Sequence, residues 1–96
     1  MQIKWLIRAL ENLNDEAEYI AKDDPASAKM VVQKIYTAVS LLSDNPALGH
    51  AGRIHGTREL VVPNTRYIIP YRVKVELNQI QILRVFHTSR KSPKRW

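Results

Sequence analysis

Apolar residues recur along this chain with two different periods, and the change of period divides the sequence into halves. Ile3 and Trp5, with Ile7 beyond them, alternate with Gln2 and Lys4, which suits a brief first strand. Leu6, Leu10, Leu13, Ala17 and Ile20 then step by four and three, one face of a helix running to about residue 22. Asp23-Asp24-Pro25 is a stop and restart. Asp24 can cap the next helix by accepting a backbone N–H bond, and Pro25 suits a first turn, where no N–H is needed. A second stripe follows at Ala28, Val31 or Val32, Ile35, Val39 and Leu42, and Asp44-Asn45-Pro46 ends it. Two amphipathic helices joined by so short a turn lie antiparallel, giving a helical hairpin over about 6–44.

Residues 47–56, with His50 and His55, read as an exposed irregular loop. Beyond them the period becomes two, and a sheet is predicted over about 57–88. Its strands are 57–62, 66–74 and 79–87, with turns at 63–65 and 76–78. Tyr67, Ile69, Tyr71 and Val73 share one face of the middle strand, the core face; Arg66, Ile68, Pro70, Arg72 and Lys74 share the other. Pro70 cannot donate to a ladder, so a bulge or an unpaired stretch is expected there. The last strand mixes apolar and polar residues on both faces, as a strand covered on both sides would. The basic tail 89–96 is expected to be loosely held, with Trp96 able to dock back. Packing the hairpin on the sheet gives a single two-layer α+β domain over 1–96: a short first strand and an antiparallel two-helix hairpin on a curved antiparallel sheet.

Composition narrows the chemistry. The absence of cysteine excludes disulfides, thiolate metal sites and a cysteine nucleophile. The histidines at 50, 55 and 87 lack metal-motif spacing, so neither metal nor cofactor is expected. No apolar run nears the ~18 residues of a membrane span, and the start lacks a signal-peptide pattern, so a soluble cytoplasmic protein is expected. Fifteen Lys and Arg against nine Asp and Glu give +6 and a pI near 9.9. From Arg53 onward only Glu59 and Glu76 oppose ten bases. Such a field favours an acidic partner, nucleic acid or protein.

Three candidate sites follow. Arginines on the sheet can grip phosphates or an acidic protein, or simply form a solvated face. His87, near Arg84 and Arg90, can move a proton while a guanidinium stabilises a phosphorane, although a lone histidine with no orienting carboxylate is more often structural. Exposed parts of the hairpin, with Tyr19, Met30 and Tyr36, can receive an amphipathic helix, although each can equally complete the core.

Taken in order, Asn45-Pro46-Ala47-Leu48-Gly49, Gly56-Thr57-Arg58-Glu59-Leu60, the run Tyr67-Ile68-Ile69-Pro70-Tyr71-Arg72-Val73, and Ile82-Leu83-Arg84-Val85-Phe86-His87 with Arg90 resemble the RelE/ParE toxin superfamily. The resemblance covers nearly the whole chain. It implies the toxin half of a type II toxin–antitoxin module, bound as a hetero-oligomer by an acidic antitoxin whose C-terminal segment wraps it. Antitoxin- or target-binding residues would be Tyr19, Met30, Tyr36, Arg58, Arg72, Arg84 and Arg90. The superfamily splits into ribosome-dependent messenger RNA endonucleases and inhibitors of DNA gyrase. The nucleases place an arginine after the first tyrosine of the middle strand and lysines on the strand before it. Here those places hold Ile68, and Glu59 with Val61, and their C-terminal tyrosine is missing. The gyrase branch is therefore expected, with no catalysis of its own. The alternatives are a ribonuclease built on Arg66, Arg84, His87 and Arg90, and an antitoxin-binding module without toxicity.

Overall fold

The computed structural model of the chain describes residues 1–91 and 93–96. Its elements are β1 (Gln2–Trp5), α1 (Ile7–Ala21), α2 (Pro25–Ser40), β2 (His50–Ala51), β3 (Arg58–Val61), β4 (Tyr67–Lys74), β5 (Gln79–Ile82) and β6 (Phe86–His87). The strand order is β1-β5-β4-β3-β2, with β6 also paired to β4. The helical hairpin covers one face, so the two-layer α+β domain predicted from the periods is present. No helix among the described residues is long and apolar enough to cross a membrane.

The hairpin forms where the stop signal put it. The Asp24 carboxylate accepts from the Ser27 backbone N–H at 3.1 Å and from its hydroxyl at 2.6 Å, and Pro25 opens α2. In α2 the stripe residues Ala28, Ile35 and Val39 are buried, with Leu42 just beyond, while Ala38 joins them and Val31 and Val32 are half-buried. In α1 the buried face is rotated by about one position: Ala9, Leu13 and Glu16 are inside, while Leu10 is exposed. Ile7 opens the helix and is exposed, rather than continuing the strand. The Leu6 N–H donates to the Ile82 carbonyl at 3.1 Å, which fixes the angle of entry, and the small Ala9 then meets the sheet.

Three departures from the expected sheet have local causes. First, β1 joins it parallel to β5, so the sheet is mixed and not wholly antiparallel. Second, the loop expected over 47–56 contributes a two-residue strand, His50 and Ala51 pairing with Glu59 and Arg58. Third, the single strand expected over 79–87 is broken in two. Tyr71 pairs with Ile82 and Ile68 with Phe86, so Leu83, Arg84 and Val85 stand opposite only Ile69 and Pro70. One extra residue makes this a bulge, placed opposite the proline that predicted it. Pro70 accepts from the Leu83 N–H at 2.9 Å and has no N–H to return. The Leu83 carbonyl accepts instead from the Arg84 guanidinium at 2.6 Å, and the Val85 N–H finds Asn12 Oδ1 at 3.2 Å.

The bulge also reverses the facing of the strand, because one residue of slip moves every later side chain to the other side. Ile80 and Ile82 face the core before it, and Val85 takes the core position after it. The bulge accounts for the mixed pattern of residues 82–87.

At the far end of the core Tyr71 is fully buried. Its hydroxyl donates to the Pro46 carbonyl at 2.8 Å and accepts from the Gly49 N–H at 2.9 Å. Arg58 closes the same turn by donating to the Gly49 carbonyl at 2.6 Å. A Cβ on Gly49 would lie 2.7 Å from Tyr71 Cε1 and 2.8 Å from the Glu59 carbonyl oxygen. Gly49→Ala is expected to destabilise the fold by about 1–3 kcal/mol, read as a lower urea midpoint with an unchanged slope.

Candidate functional site

A cavity of about 480 Å³ opens where the turn of the hairpin meets the end of the sheet. α1 contributes Glu16 and Tyr19, β4 with the residue before it contributes Tyr67 and Arg66, and β6 with the chain after it contributes His87 and Arg90. The bulge at Pro70 is what aims His87 here: opposite Tyr67 after the slip, its ring meets the Tyr67 ring edge-on at 5.0 Å.

Glu16 organises the cavity. It holds a core position of α1 and is only 6% exposed, so its charge must be matched by donors. Tyr67 donates its phenol to Oε1 at 2.8 Å, and Arg90 forks onto the carboxylate with Nη1–Oε2 at 2.6 Å and Nη2–Oε1 at 3.0 Å. Such bidentate, charge-assisted pairs are among the stronger hydrogen bonds in proteins. Burial, the Glu16 hydrogen bond and the Glu16 charge together push the Tyr67 phenol well above the ordinary tyrosine range. The bond to Glu16 likewise raises the Arg90 guanidinium. Glu16 is not among the residues expected from the sequence, although its spacing carries the signal: three residues after Leu13 and four before Ile20, it stands on the apolar face.

Three of the four residues proposed for a ribonuclease meet at this cavity, and Arg84 stands apart. Arg66, His87 and Arg90 line the cavity, but Arg90 is bound to Glu16. His87 Nδ1 accepts from the Ser89 backbone N–H at 3.2 Å and lies 2.6 Å from the Ser89 hydroxyl. Arg84 is not among the cavity's lining residues. Burial lowers its pKa, and it lies within the fields of Arg8 and Glu11 on α1.

The residues expected to bind a partner also separate. Tyr19 borders the Glu16 cavity and Tyr36 packs on Trp5 at 5.1 Å between ring centres. Met30 lines an apolar groove with Ala38, Leu41 and Pro63, which Leu48 and Val61 continue. All three are exposed. Arg58 holds the turn at Gly49, and Arg72 lies on the outer sheet face, its Nε donating to Gln81 Oε1 at 2.7 Å. Trp96 docks back, as the sequence allowed, while the other described tail residues are exposed: Trp96 meets Phe86 at 5.4 Å, and Arg53 covers the Trp96 ring at 5.2 Å while donating to the Pro93 carbonyl. Of that tail, Ser92 lies outside the described residues. Among the described residues no cluster of three potential metal ligands occurs.

Comparison with known proteins gives a consistent pattern. Residues 3–92 match the family described as the ParE toxin of the type II toxin–antitoxin system parDE. The chain is 46% identical to Y4kP of Sinorhizobium fredii, which is named as a candidate toxin, over 96% of this chain and 93% of that protein. It is 30% identical to toxin RelE2 of Caulobacter vibrioides, over 93% of this chain and 97% of the relative. Among solved structures it is similar to one from the chromosomal ParDE toxin–antitoxin system of P. aeruginosa, with a TM-score of 0.79 and 30% identity, covering 91% of this chain and 95% of that one. It is also similar to one in the toxin–antitoxin complex RelBE2 of Mycobacterium tuberculosis, with a TM-score of 0.60 and 26% identity, covering 90% and 95%.

Two measurements check the cavity. Tyr67→Phe removes the phenol from Glu16 and is expected to cost about 1–2 kcal/mol in urea unfolding. Because the folded pKa of Tyr67 is raised, its contribution is complete below the unfolded tyrosine value of about 10 and is lost as pH rises beyond it. The melting temperature should therefore fall above about pH 10, and less steeply in Tyr67→Phe; equal slopes would contradict the assignment.

Proposed function

The chain belongs to the ParE toxin family of type II toxin–antitoxin systems, within the RelE/ParE superfamily, and from that premise we propose that it inhibits DNA gyrase in the cytoplasm and is neutralised by a cognate antitoxin. The observation that carries the target is the state of Arg90. A ribonuclease needs a cation free to neutralise the scissile phosphate beside a group that moves a proton. Of the two arginines three residues either side of His87, the one that lines its cavity, Arg90, is instead engaged by Glu16 through both terminal nitrogens. At the position where the nucleases carry an arginine stands Ile68, half-buried and paired with Phe86. An aliphatic side chain offers a phosphate nothing. Inhibition of a target enzyme by binding asks for surface alone, and needs no free acid–base pair.

The apolar groove is the part of the surface that suits the antitoxin. Met30, Leu41, Leu48 and Val61 are each half exposed or more along it, an arrangement that favours covering by a partner's apolar segment. The antitoxin's charge would then meet the basic half of the chain, raising the rate of capture. One specific observation favours the ribonuclease reading: Arg66 and His87 do share a cavity.

Purified chain is expected to stabilise cleaved gyrase–DNA complexes and to block supercoiling, while ribosome-bound messenger RNA stays intact. Cleaved message with unaffected gyrase would transfer the assignment to the ribonuclease branch, and growth unaffected by expression of the chain alone would leave only a binding module. Leu41→Glu should keep toxicity and weaken rescue by the protein encoded next to it by about tenfold or more.

A further inference from the structure

We propose that the outer face of β1, β5 and β4 is a contact surface for the phosphate backbone of duplex DNA. The parallel addition of β1 creates it. Lys4 pairs with Gln81, which pairs with Arg72; Gln2 pairs with Gln79, which pairs with Lys74. Paired residues share a face, so two rows of three lie side by side across three strands. The rows hold three cations and three glutamines, and no carboxylate.

The details argue against an ordinary solvated face. A face shaped only for solubility interleaves both signs, and this one does not. Gln81 accepts from Arg72 Nε at 2.7 Å and donates to Gln79 Oε1 at 3.2 Å. The glutamines thus orient the guanidinium without neutralising it. Among the described residues, neither Lys4, Arg72 nor Lys74 forms an ion pair. Strand geometry puts Arg72 roughly 7 Å from Lys74 along β4 and roughly 10 Å from Lys4 across β5. Duplex DNA carries one charge per ~1.7 Å of its axis, so several phosphates fall within that span.

The same composition selects the ligand. None of the six residues is aromatic, so the patch has no platform for stacking unpaired bases, which single-strand binders use. An acidic protein would be expected to bring apolar anchors, and the apolar groove lies at the opposite edge, against β3. The two surfaces can therefore be occupied together, and the patch remains available when the groove is covered. This contact stands apart from the choice between gyrase and ribosome, because it is measured on DNA alone.

The test uses fluorescence anisotropy of a labelled 20-base-pair duplex with the purified full chain, across salt concentrations. The combined variant Lys4→Gln, Arg72→Gln, Lys74→Gln is compared with Lys22→Gln, Lys29→Gln, Lys34→Gln, which removes the same charge from the helical hairpin. The patch variant is expected to bind about tenfold or more weakly at ~100 mM salt, with the slope of log affinity against log salt reduced by about 2–3. The hairpin variant should stay within about threefold of the unsubstituted chain. Equal weakening in both variants would reduce the effect to net charge and overturn the proposal. So would no binding at ~50 mM salt, or tighter binding of a poly-glutamate peptide than of the duplex. Matching circular dichroism melts of the two variants would show that both remain folded.

Discussion

A carboxylate removed from water has to find donors, and in this protein that requirement at Glu16 ties three distant parts of the chain together. Tyr67 comes from the middle strand and Arg90 from the segment after the last, 51 and 74 residues away. Without them a buried charge on α1 would cost several kcal/mol. With them, the hairpin, the sheet and the start of the tail acquire one fixed relation. The same contact decides the chemistry: an arginine beside a histidine looks like catalytic equipment in sequence, and becomes part of the frame once its guanidinium is engaged.

A second constraint prepares the first. Pro70 lacks an N–H, the facing strand bulges by one residue, and the slip turns Val85 and His87 inward while Phe86 turns outward. The cavity at Tyr67 and the docking of Trp96 on Phe86 are thus two consequences of one missing donor. Tyr71 does the corresponding work at the other end, where its hydroxyl binds the turn at Pro46 and Gly49. The surface left over is divided. An apolar groove lies against β3, a cavity organised by the Glu16–Arg90 pair at the hairpin turn, and a cationic face on β1, β5 and β4.

Much of this could be seen in the sequence, for reasons that are local. The two helices, the Asp24-Pro25 restart and the core face of β4 depend on spacing within one element and stand where expected, although the buried face of α1 is turned by about one position. Pro70 announced its bulge because a missing donor is a property of the residue itself. What it did to residues 83–87 was hidden, since a change of facing shows as a mixed pattern with several explanations. The parallel pairing of β1 joins residues 2–5 to 79–82. No periodicity inside either segment encodes that, so Lys4 could not be grouped with Arg72. Glu16 was visible as a charge among apolar positions, but its partners were not. Superfamily membership was readable from the order of several weak motifs. The structure accounts for parts of three of them, through the turn at Gly49, Arg58 that holds it, and Tyr71 that it touches.

The bond between Glu16 and Arg90 holds the frame and occupies the arginine, and a double-mutant cycle measures that bond directly. Urea unfolding of the parent chain, Glu16→Gln, Arg90→Gln and the double variant gives the coupling free of each residue's other effects. The coupling is expected to be favourable by about 1–2 kcal/mol. A coupling indistinguishable from zero would mean that Arg90 is free in solution, and the case against a phosphate-binding role beside His87 would fall with it.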